Sequence, residues 1–203
     1  MVFLLCVAAW FTYGESFLAV THRAPADILV VEGWIGRKGI CAAVDEFKGG
    51  GYRYIVACGG LTSDRWEDAP SSYADMAAHE MIQSGVPRER IVVGRSANTE
   101  IHRTFESAVA VCRALRDAGI QPKALNVFTL GPHAGRSELV FSKVNSPGTK
   151  IGVIGWVPPE YRAEAWWRSS DRSRELLDET VGYFYEVLFN SGRHSNAPEA
   201  AVH

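Results

Sequence analysis

His133 and Arg136 are the two side chains whose types and spacing point most clearly to chemistry. They stand three residues apart in the run GPHAGR at positions 131–136. If Pro132 opens a helix, both side chains project from one side of its first turn, where free backbone N–H groups favour an anion. Arginine offers a planar fork for phosphate or carboxylate, and histidine exchanges protons near neutral pH. We therefore predict an anion-binding pair, although His133 taken alone fits a structural hydrogen bond equally well.

A second polar segment, at positions 98–104, precedes another predicted helix. Asn98 or Thr99 would cap that helix, and Glu100 would complement its dipole. Arg103 and Thr104 face the same helix end. Asn98, Thr99, Arg103 and Thr104 are all candidates for contact with a ligand. The alternative interpretation is helix capping for the first two and simple solvation for the last two.

Glu32 and Cys58 stand where two predicted strands end. Burial would raise the pKa of Glu32 and suit it to proton transfer, while a structural pair with Arg136 or Arg103 is the alternative. Helix N-termini would lower the pKa of the Cys58 thiol and make it a nucleophile, although an inert buried thiol is the commoner situation.

Several classes of site are disfavoured by the sequence pattern. No G-x-G-x-x-G follows the first predicted strand, and the chain has neither a Walker A loop nor a G-x-S-x-G elbow. The four cysteines and six histidines show no metal-ligand spacing, so we expect no metal site. The formal net charge of -2 provides no basic field of the kind that nucleic acid requires.

The elements that must position these residues are those of an α/β domain. The 203 residues are 47% hydrophobic and 22% charged, which is ordinary globular usage. After Pro25, solid apolar runs alternate with helical periodicity, and this pattern predicts a doubly wound parallel sheet with helices on both faces. The five predicted strands are at 27–31, 54–57, 91–93, 125–130 and 151–154.

Ligands of such sheets bind outside the carboxyl ends of the strands. Gly33 and Trp34 follow the first predicted strand, and Gly59 and Gly60 follow the second. Glycine lets a backbone approach a ligand closely, so we count these four residues as candidates for ligand binding. Turn geometry explains the glycines equally well.

The beginning of the chain, residues 1–24, is an apolar block interrupted by Glu15. Its uninterrupted part is shorter than the roughly 20 residues of a full membrane span. A membrane anchor, a signal-peptide core and a buried N-terminal element are the three interpretations, and we favour the anchor on hydropathy grounds.

The domain is expected to cover residues 25–190 and to end in a helix, followed by a flexible tail at 191–203. Apolar residues recur on that last helix at helical spacing, which predicts that it packs against the sheet. The stripe consists of Leu177, Val181, Phe184 and Leu188.

Several segments of this chain match the pattern of a known family. They are DILVVEGW at 27–34, Gly59-Gly60, Gly85-Val86-Pro87 before Ile91, Asn98-Thr99, and Thr129 followed by His133 and Arg136. In this order they resemble the YdcF-like family of bacterial envelope-associated proteins. The resemblance implies a Rossmann-like domain held at the bacterial inner membrane by an N-terminal helix, with the domain on the extracytoplasmic side.

The resemblance assigns no particular reaction. We expect the domain to bind a small anionic or lipid-linked ligand that carries a phosphate group and belongs to cell-envelope or polysaccharide metabolism. If the domain is an enzyme, hydrolysis or group transfer with Glu32 and His133 as acid and base fits best. One alternative is a Rossmann-like enzyme with a nucleotide-type cofactor across Gly33 and Gly59-Gly60. Another alternative is a non-enzymatic scaffold in the cell envelope. The sequence identifies no particular cofactor.

Overall fold

The computed structural model describes residues 1–62, 72–97, 102–161 and 165–189, and within these ranges six strands and six α-helices form an α/β domain. The strands are β1 (Thr21–His22), β2 (Ile28–Glu32), β3 (Tyr54–Gly59), β4 (Ile91–Arg95), β5 (Ala124–Leu130) and β6 (Lys150–Trp156). The helices are α1 (Val2–Leu18), α2 (Gly36–Gly49), α3 (Tyr73–Gln83), α4 (Arg103–Asp117), α5 (His133–Val144) and α6 (Ser170–Leu188). Asn98, Thr99, Glu100 and the expected tail at 191–203 lie outside the described residues.

The sheet has the strand order β1-β6-β5-β2-β3-β4, and β2 to β6 are parallel. The five predicted strands are therefore confirmed. The chain runs from β2 outwards through β3 to β4 and then returns to the other side of β2 with β5. This reversal places a topological switch point between β2 and β5, which is where doubly wound sheets bind ligands.

Two apolar cores, one on each face of the sheet, hold the helices in place. On one face α2 and α3 contribute Ile40, Phe47 and Met81, all nearly inaccessible to solvent. On the other face α4 and α5 contribute Leu115 and Phe141. Each such side chain stabilises the fold by about 1.5–3 kcal/mol on burial. The two cores confirm the prediction of helices on both faces.

β1 was not predicted, and it is antiparallel to β6 at the edge of the sheet. The segment after it is fixed by the side chain of Asn126 on β5, which is 1% exposed. The Asn126 amide accepts from the N–H of Ala24 at 2.8 Å and donates to its carbonyl oxygen at 3.0 Å. Residues of the expected anchor segment therefore belong to the sheet.

Helix α1 divides into two halves with different surroundings. Near its end, Leu18 is fully buried and packs in a small cluster with Trp166 and Leu176. Near its start, Leu4 and Leu5 are 70% and 63% exposed. Within the described residues, no helix combines the length and the apolar character needed to cross a bilayer.

The expected packing of the apolar stripe on α6 is wrong. Its members are exposed, from 43% at Phe184 to 70% at Val181 and Leu188. The face of α6 that the domain buries carries Glu179 and Glu186 instead. These carboxylates are buried because α5 supplies a cationic partner for each: Arg136 for Glu179 and Lys143 for Glu186.

Candidate functional site

A cavity of about 590 Å³ opens at the carboxyl ends of the parallel strands. Its walls come from the segments after β2 and β3, from the first turns of α4 and α5, and from α6. Eight of the residues predicted from the sequence line it: Glu32, Trp34, Gly59, Gly60, Arg103, Thr104, His133 and Arg136. The volume lies in the range of small-molecule sites.

Glu32 is the last residue of β2, and it is 1% exposed at the floor of this cavity. Its Oε2 atom accepts hydrogen bonds from the hydroxyls of Thr129 and Ser137, the latter at 2.9 Å. The same oxygen lies 3.4 Å from Nε2 of His133. The carboxylate therefore has a full set of donors, as a buried charge requires.

His133, the first residue of α5, lies between two carboxylates. Its Nδ1 atom is 2.9 Å from Oε1 of Glu179, and its Nε2 atom faces Glu32. The hydroxyl of Thr104 is also within 3.4 Å of Nε2. The ring meets Trp34 edge-on, with 4.9 Å between centroids. With a carboxylate on each nitrogen, both ring N–H groups have an acceptor.

Arg136 is bound by Glu179 with a two-pronged ion pair. Its Nε atom donates to Oε2 at 2.9 Å, and its terminal Nη2 atom donates to Oε1 at 2.8 Å. His133 and Arg136 are thus adjacent, as their spacing predicts, but both turn towards the same carboxylate. The arginine fork is already occupied by Glu179, so it is not open for a ligand in this structure.

The burial and the charges of this network set its protonation states. Burial opposes the charged form of His133, but the carboxylates of Glu179 and Glu32 outweigh it and raise the histidine pKa to about 9. Burial likewise opposes ionisation of Glu179, yet His133 and Arg136 lower the pKa of that carboxyl to about 2. At neutral pH the cluster therefore holds an imidazolium between two carboxylates.

The expectation that the pKa of Glu32 is raised is wrong. Burial does push its pKa upwards, but His133 and the hydroxyls of Thr129 and Ser137 more than compensate and lower it. Glu32 is ionised and pairs with His133, and neither Arg136 nor Arg103 is its partner. It therefore holds the proton on the imidazole and does not carry one itself.

Cys58 is an inert thiol in this position. It is fully buried in β3, and burial together with the nearby charge of Glu32 raises its pKa well above the usual value. The interpretation as an activated nucleophile is thereby contradicted. Among the described residues, no group of three or more histidine, cysteine or acidic side chains is arranged to hold a metal ion.

The glycines after β2 and β3 serve packing as well as access. Gly33 does not line the cavity, and a Cβ atom there would come within 2.2 Å of the carbonyl oxygen of Tyr73. A Cβ atom on Gly59 would approach the Tyr73 side chain at 2.8 Å. These contacts let the start of α3 lie directly on the strand ends. Of the three glycines, Gly59 and Gly60 line the cavity.

Charged side chains around the cavity are almost balanced. Three cations line it: Arg103, Arg136 and protonated His133. Four carboxylates line it as well: Glu32, Asp178, Glu179 and Glu186. Glu186 is further paired with Lys143 at 3.3 Å, which lies outside the lining. The net charge of the lining would therefore not attract an anion. Arg103 and the N-termini of α4 and α5 are the features that would attract one.

Glu179, Thr129 and Ser137 complete the network, yet sequence reasoning had not assigned them to the site. Thr129 figured only in the family pattern, and Ser137 follows Arg136 within the predicted helix. Glu179 carries no local signal, because a glutamate on a predicted surface helix looks like a solvated residue. Only the packing of α6 against α5 brings it to His133.

Comparison with known proteins identifies no relative: no protein-family model, no curated protein and no solved structure matches this chain.

Proposed function

We propose that this domain binds a small phosphorylated ligand in the cavity and that His133 serves as the general acid in hydrolysis or group transfer at a phosphate or glycosyl bond. The observation that carries the proposal is the buried imidazolium between Glu32 and Glu179 at the edge of an open cavity. Buried, strongly perturbed ionisable groups that border a cleft are characteristic of functional sites.

The two ring nitrogens of His133 differ in how firmly they hold their protons. Nδ1 is 2.9 Å from Glu179, whereas Nε2 is 3.4 Å from both Glu32 and the hydroxyl of Thr104. Thr104 itself lines the cavity, so Nε2 is the nitrogen on that side. We assign the transferable proton to Nε2, which would pass it to the leaving oxygen of a bound ligand. Glu179 would then orient the ring and stabilise its positive charge.

Binding is tested by thermal denaturation of the full chain with glycerol phosphate, with adenosine monophosphate and with glycerol as the uncharged control. We expect stabilisation by the two phosphate esters and none by glycerol. Stabilisation should weaken above pH 9, where His133 loses its proton. No stabilisation by either phosphate ester would refute the proposal. A much larger effect of the adenosine ester would favour the nucleotide-type cofactor.

The acid role is tested with leaving groups of different basicity. Phenyl phosphate needs protonation of its leaving oxygen, whereas nitrophenyl phosphate needs it far less. His133→Asn should therefore slow release of phenol much more than release of nitrophenol. An equal loss for both esters would assign His133 to binding instead.

Membership of the YdcF-like family is part of the proposal. Residues of the matching segments, Glu32, Gly59-Gly60, Thr129, His133 and Arg136, meet around one cavity or contact its floor. This supports the view that the shared pattern belongs to one site. An envelope ligand remains the corresponding expectation.

Membrane association through α1 is a second proposal, supported by the exposure of its first half. Leu4, Leu5, Val7, Ala8 and Ala9 are all exposed and spread around the helix. A helix that is apolar on every side favours an apolar environment. Flotation with phosphatidylglycerol vesicles should recover the wild type, and the double variant Leu4→Asp, Leu5→Asp should lose most of this binding. Equal recovery of both proteins would contradict the proposal.

A further inference from the structure

The first turns of α4 form an unoccupied set of donors on the wall of the cavity. The side chain of His102, which precedes the helix, makes no capping hydrogen bond. The first backbone bond of the helix runs from the N–H of Glu106 to the carbonyl of His102 at 3.0 Å. The N–H groups of the first three helical residues, Arg103 to Phe105, therefore have no partner within the helix.

Ser107 supplies an independent observation at the same place. It is 8% exposed and lines the cavity, yet its hydroxyl finds no hydrogen-bond partner among the described residues. Its oxygen is not one of the fully buried side-chain atoms that lack a partner, so it is accessible, and because the residue is otherwise buried, that access comes from the cavity. A hydroxyl that opens onto a cavity and has no partner in the described part of the chain is available to bond a ligand.

Arg103 and Thr104 lie on the same side of α4 as Ser107. Residues four and three apart on a helix are neighbours on its surface, so all three side chains border one patch. Arg103 is exposed and forms no ion pair within the described part of the chain, in contrast to Arg136 with its carboxylate partner. Arg103 is thus a cation of the cavity wall whose charge is not already neutralised.

We propose that the ligand's phosphate group binds at the start of α4, held by the free N–H groups, the Ser107 hydroxyl and the Arg103 guanidinium, while His133 acts from the adjacent start of α5. This assignment rests on the proposed function and specifies its anion subsite. It moves the anion away from the His133 and Arg136 pair, to which the sequence had assigned it. Thr104 links the two walls, because its hydroxyl reaches Nε2 of His133 at 3.4 Å.

The ligand class that follows is a phosphate ester, free or as a lipid headgroup. The oxygens of the phosphate accept hydrogen bonds from the α4 donors, and the ester oxygen lies towards Nε2 of His133. Trp34, which packs edge-on against His133, provides an apolar surface beside the esterified group. Glycerol phosphate and phosphatidylglycerol vesicles represent the free and lipid-bound sources.

The experiment measures phosphorus NMR line broadening of glycerol phosphate by the full chain, and vesicle flotation in parallel. Ser107→Ala and Arg103→Ala should each weaken binding of glycerol phosphate about tenfold, since hydrogen bonds to charged groups are the strong ones. Matched controls are Ser142→Ala, an exposed serine on α5, and Arg113→Ala, an exposed arginine on the far part of α4. Both controls should bind as the wild type does.

The outcomes separate the two proposals. If the wild type binds glycerol phosphate and the Ser107 and Arg103 variants bind equally well, the α4 subsite is refuted while the proposed function stands. If the wild type does not bind glycerol phosphate and its vesicle binding is the same in the Ser107 and Arg103 variants, both are refuted, because α1 then accounts for the vesicle binding. If only the vesicles show the dependence on Ser107 and Arg103, the subsite stands and its ligand is a lipid headgroup. Circular dichroism melting of each variant confirms that it is folded.

Discussion

Oε1 of Glu179 lies 2.9 Å from Nδ1 of His133 and 2.8 Å from Nη2 of Arg136, so a single carboxylate on α6 holds the two cations at the start of α5. The contact joins α6, the last described helix, to the first turn of α5, which carries His133 and Arg136. It also explains why α6 buries a glutamate and exposes leucines. The ionic face meets partners on α5, whereas the apolar stripe stays largely exposed, with Phe184 in ring contact with Trp10 of α1.

Glu179→Gln should destabilise the protein. The substitution leaves His133 and Arg136 without their shared counter-charge, and removing one partner of a buried ion pair costs about 3–5 kcal/mol. Because glutamine retains one acceptor oxygen, we expect about 2–3 kcal/mol in urea denaturation. Asp178→Asn, which removes the charge of the neighbouring exposed carboxylate, is the matched control. Its free energy of unfolding should change by no more than about 0.5 kcal/mol. Equal stability of both variants would show that the buried pair contributes nothing.

The stability of the wild type should fall as the pH rises from 6.5 to about 9. His133 has its pKa raised from 6.5 to about 9, so folding favours its protonated form, and that contribution is complete below 6.5 and lost as the pH passes 9. Glu179 has its pKa lowered from 4.5 to about 2, so its contribution is present above 4.5 and lost as the pH falls towards 2. Thermal midpoints across this range check both signs.

NMR titration of the His133 ring protons tests the origin of this dependence directly. Its midpoint in the wild type should lie near 9, and Glu179→Gln should move it downwards, because the larger of the two carboxylate contributions is removed. A midpoint near 6.5 in the wild type would contradict the buried imidazolium.

Gly33→Ala should destabilise the protein through a steric clash. Its Cβ atom would lie 2.2 Å from a backbone oxygen of α3, which cannot move without shifting the helix. Overpacking of this kind costs about 1–3 kcal/mol. Gly49→Ala is the control, because nothing lies within 4 Å of its Cβ position, and at the end of α2 alanine should stabilise by up to about 1 kcal/mol. Opposite shifts in thermal midpoint are expected.

Asn126→Ala should loosen the start of the sheet. It leaves the N–H and carbonyl of Ala24 unpaired and removes the hydrogen bond to the hydroxyl of Tyr52 at 2.9 Å. Leaving buried polar groups unsatisfied costs about 1–3 kcal/mol. Tyr52→Phe removes the last of these bonds and the bond from the Tyr52 hydroxyl to Glu46, but it leaves Ala24 paired and should cost less. Hydrogen exchange at Ala24 reports the local effect, and unchanged protection there would contradict it.

The strands and the edge where the site lies could be predicted from the sequence. Runs such as Ile28–Glu32 are apolar throughout because both faces of the sheet are covered, and this pattern is visible locally. The carboxyl ends of β2, β3 and β5 then follow from the parallel order. For this reason Glu32, Gly59, Gly60 and His133 were found without knowledge of the packing.

The remaining features depend on contacts between distant parts of the chain. β1 is two residues long and has no hydrophobic pattern of its own, since its place is fixed by Asn126 and by pairing with β6. The orientation of α6 was predicted wrongly because its apolar stripe suggested a core-facing side. The actual buried side is chosen by ion pairs from Glu179 to Arg136 and from Glu186 to Lys143. Charge pairing across helices leaves no periodic signal in one segment.

The contact from α6 to α5 also has a consequence for how the charged network is completed. Glu32 and His133 precede Glu179 in the chain, and Glu179 reaches them only through the packing of α6 on α5. A domain with α6 undocked would leave His133 with the carboxylate of Glu32 alone and would deprive Arg136 of its partner Glu179. Docking of a single helix would thus separate an incomplete site from a finished one.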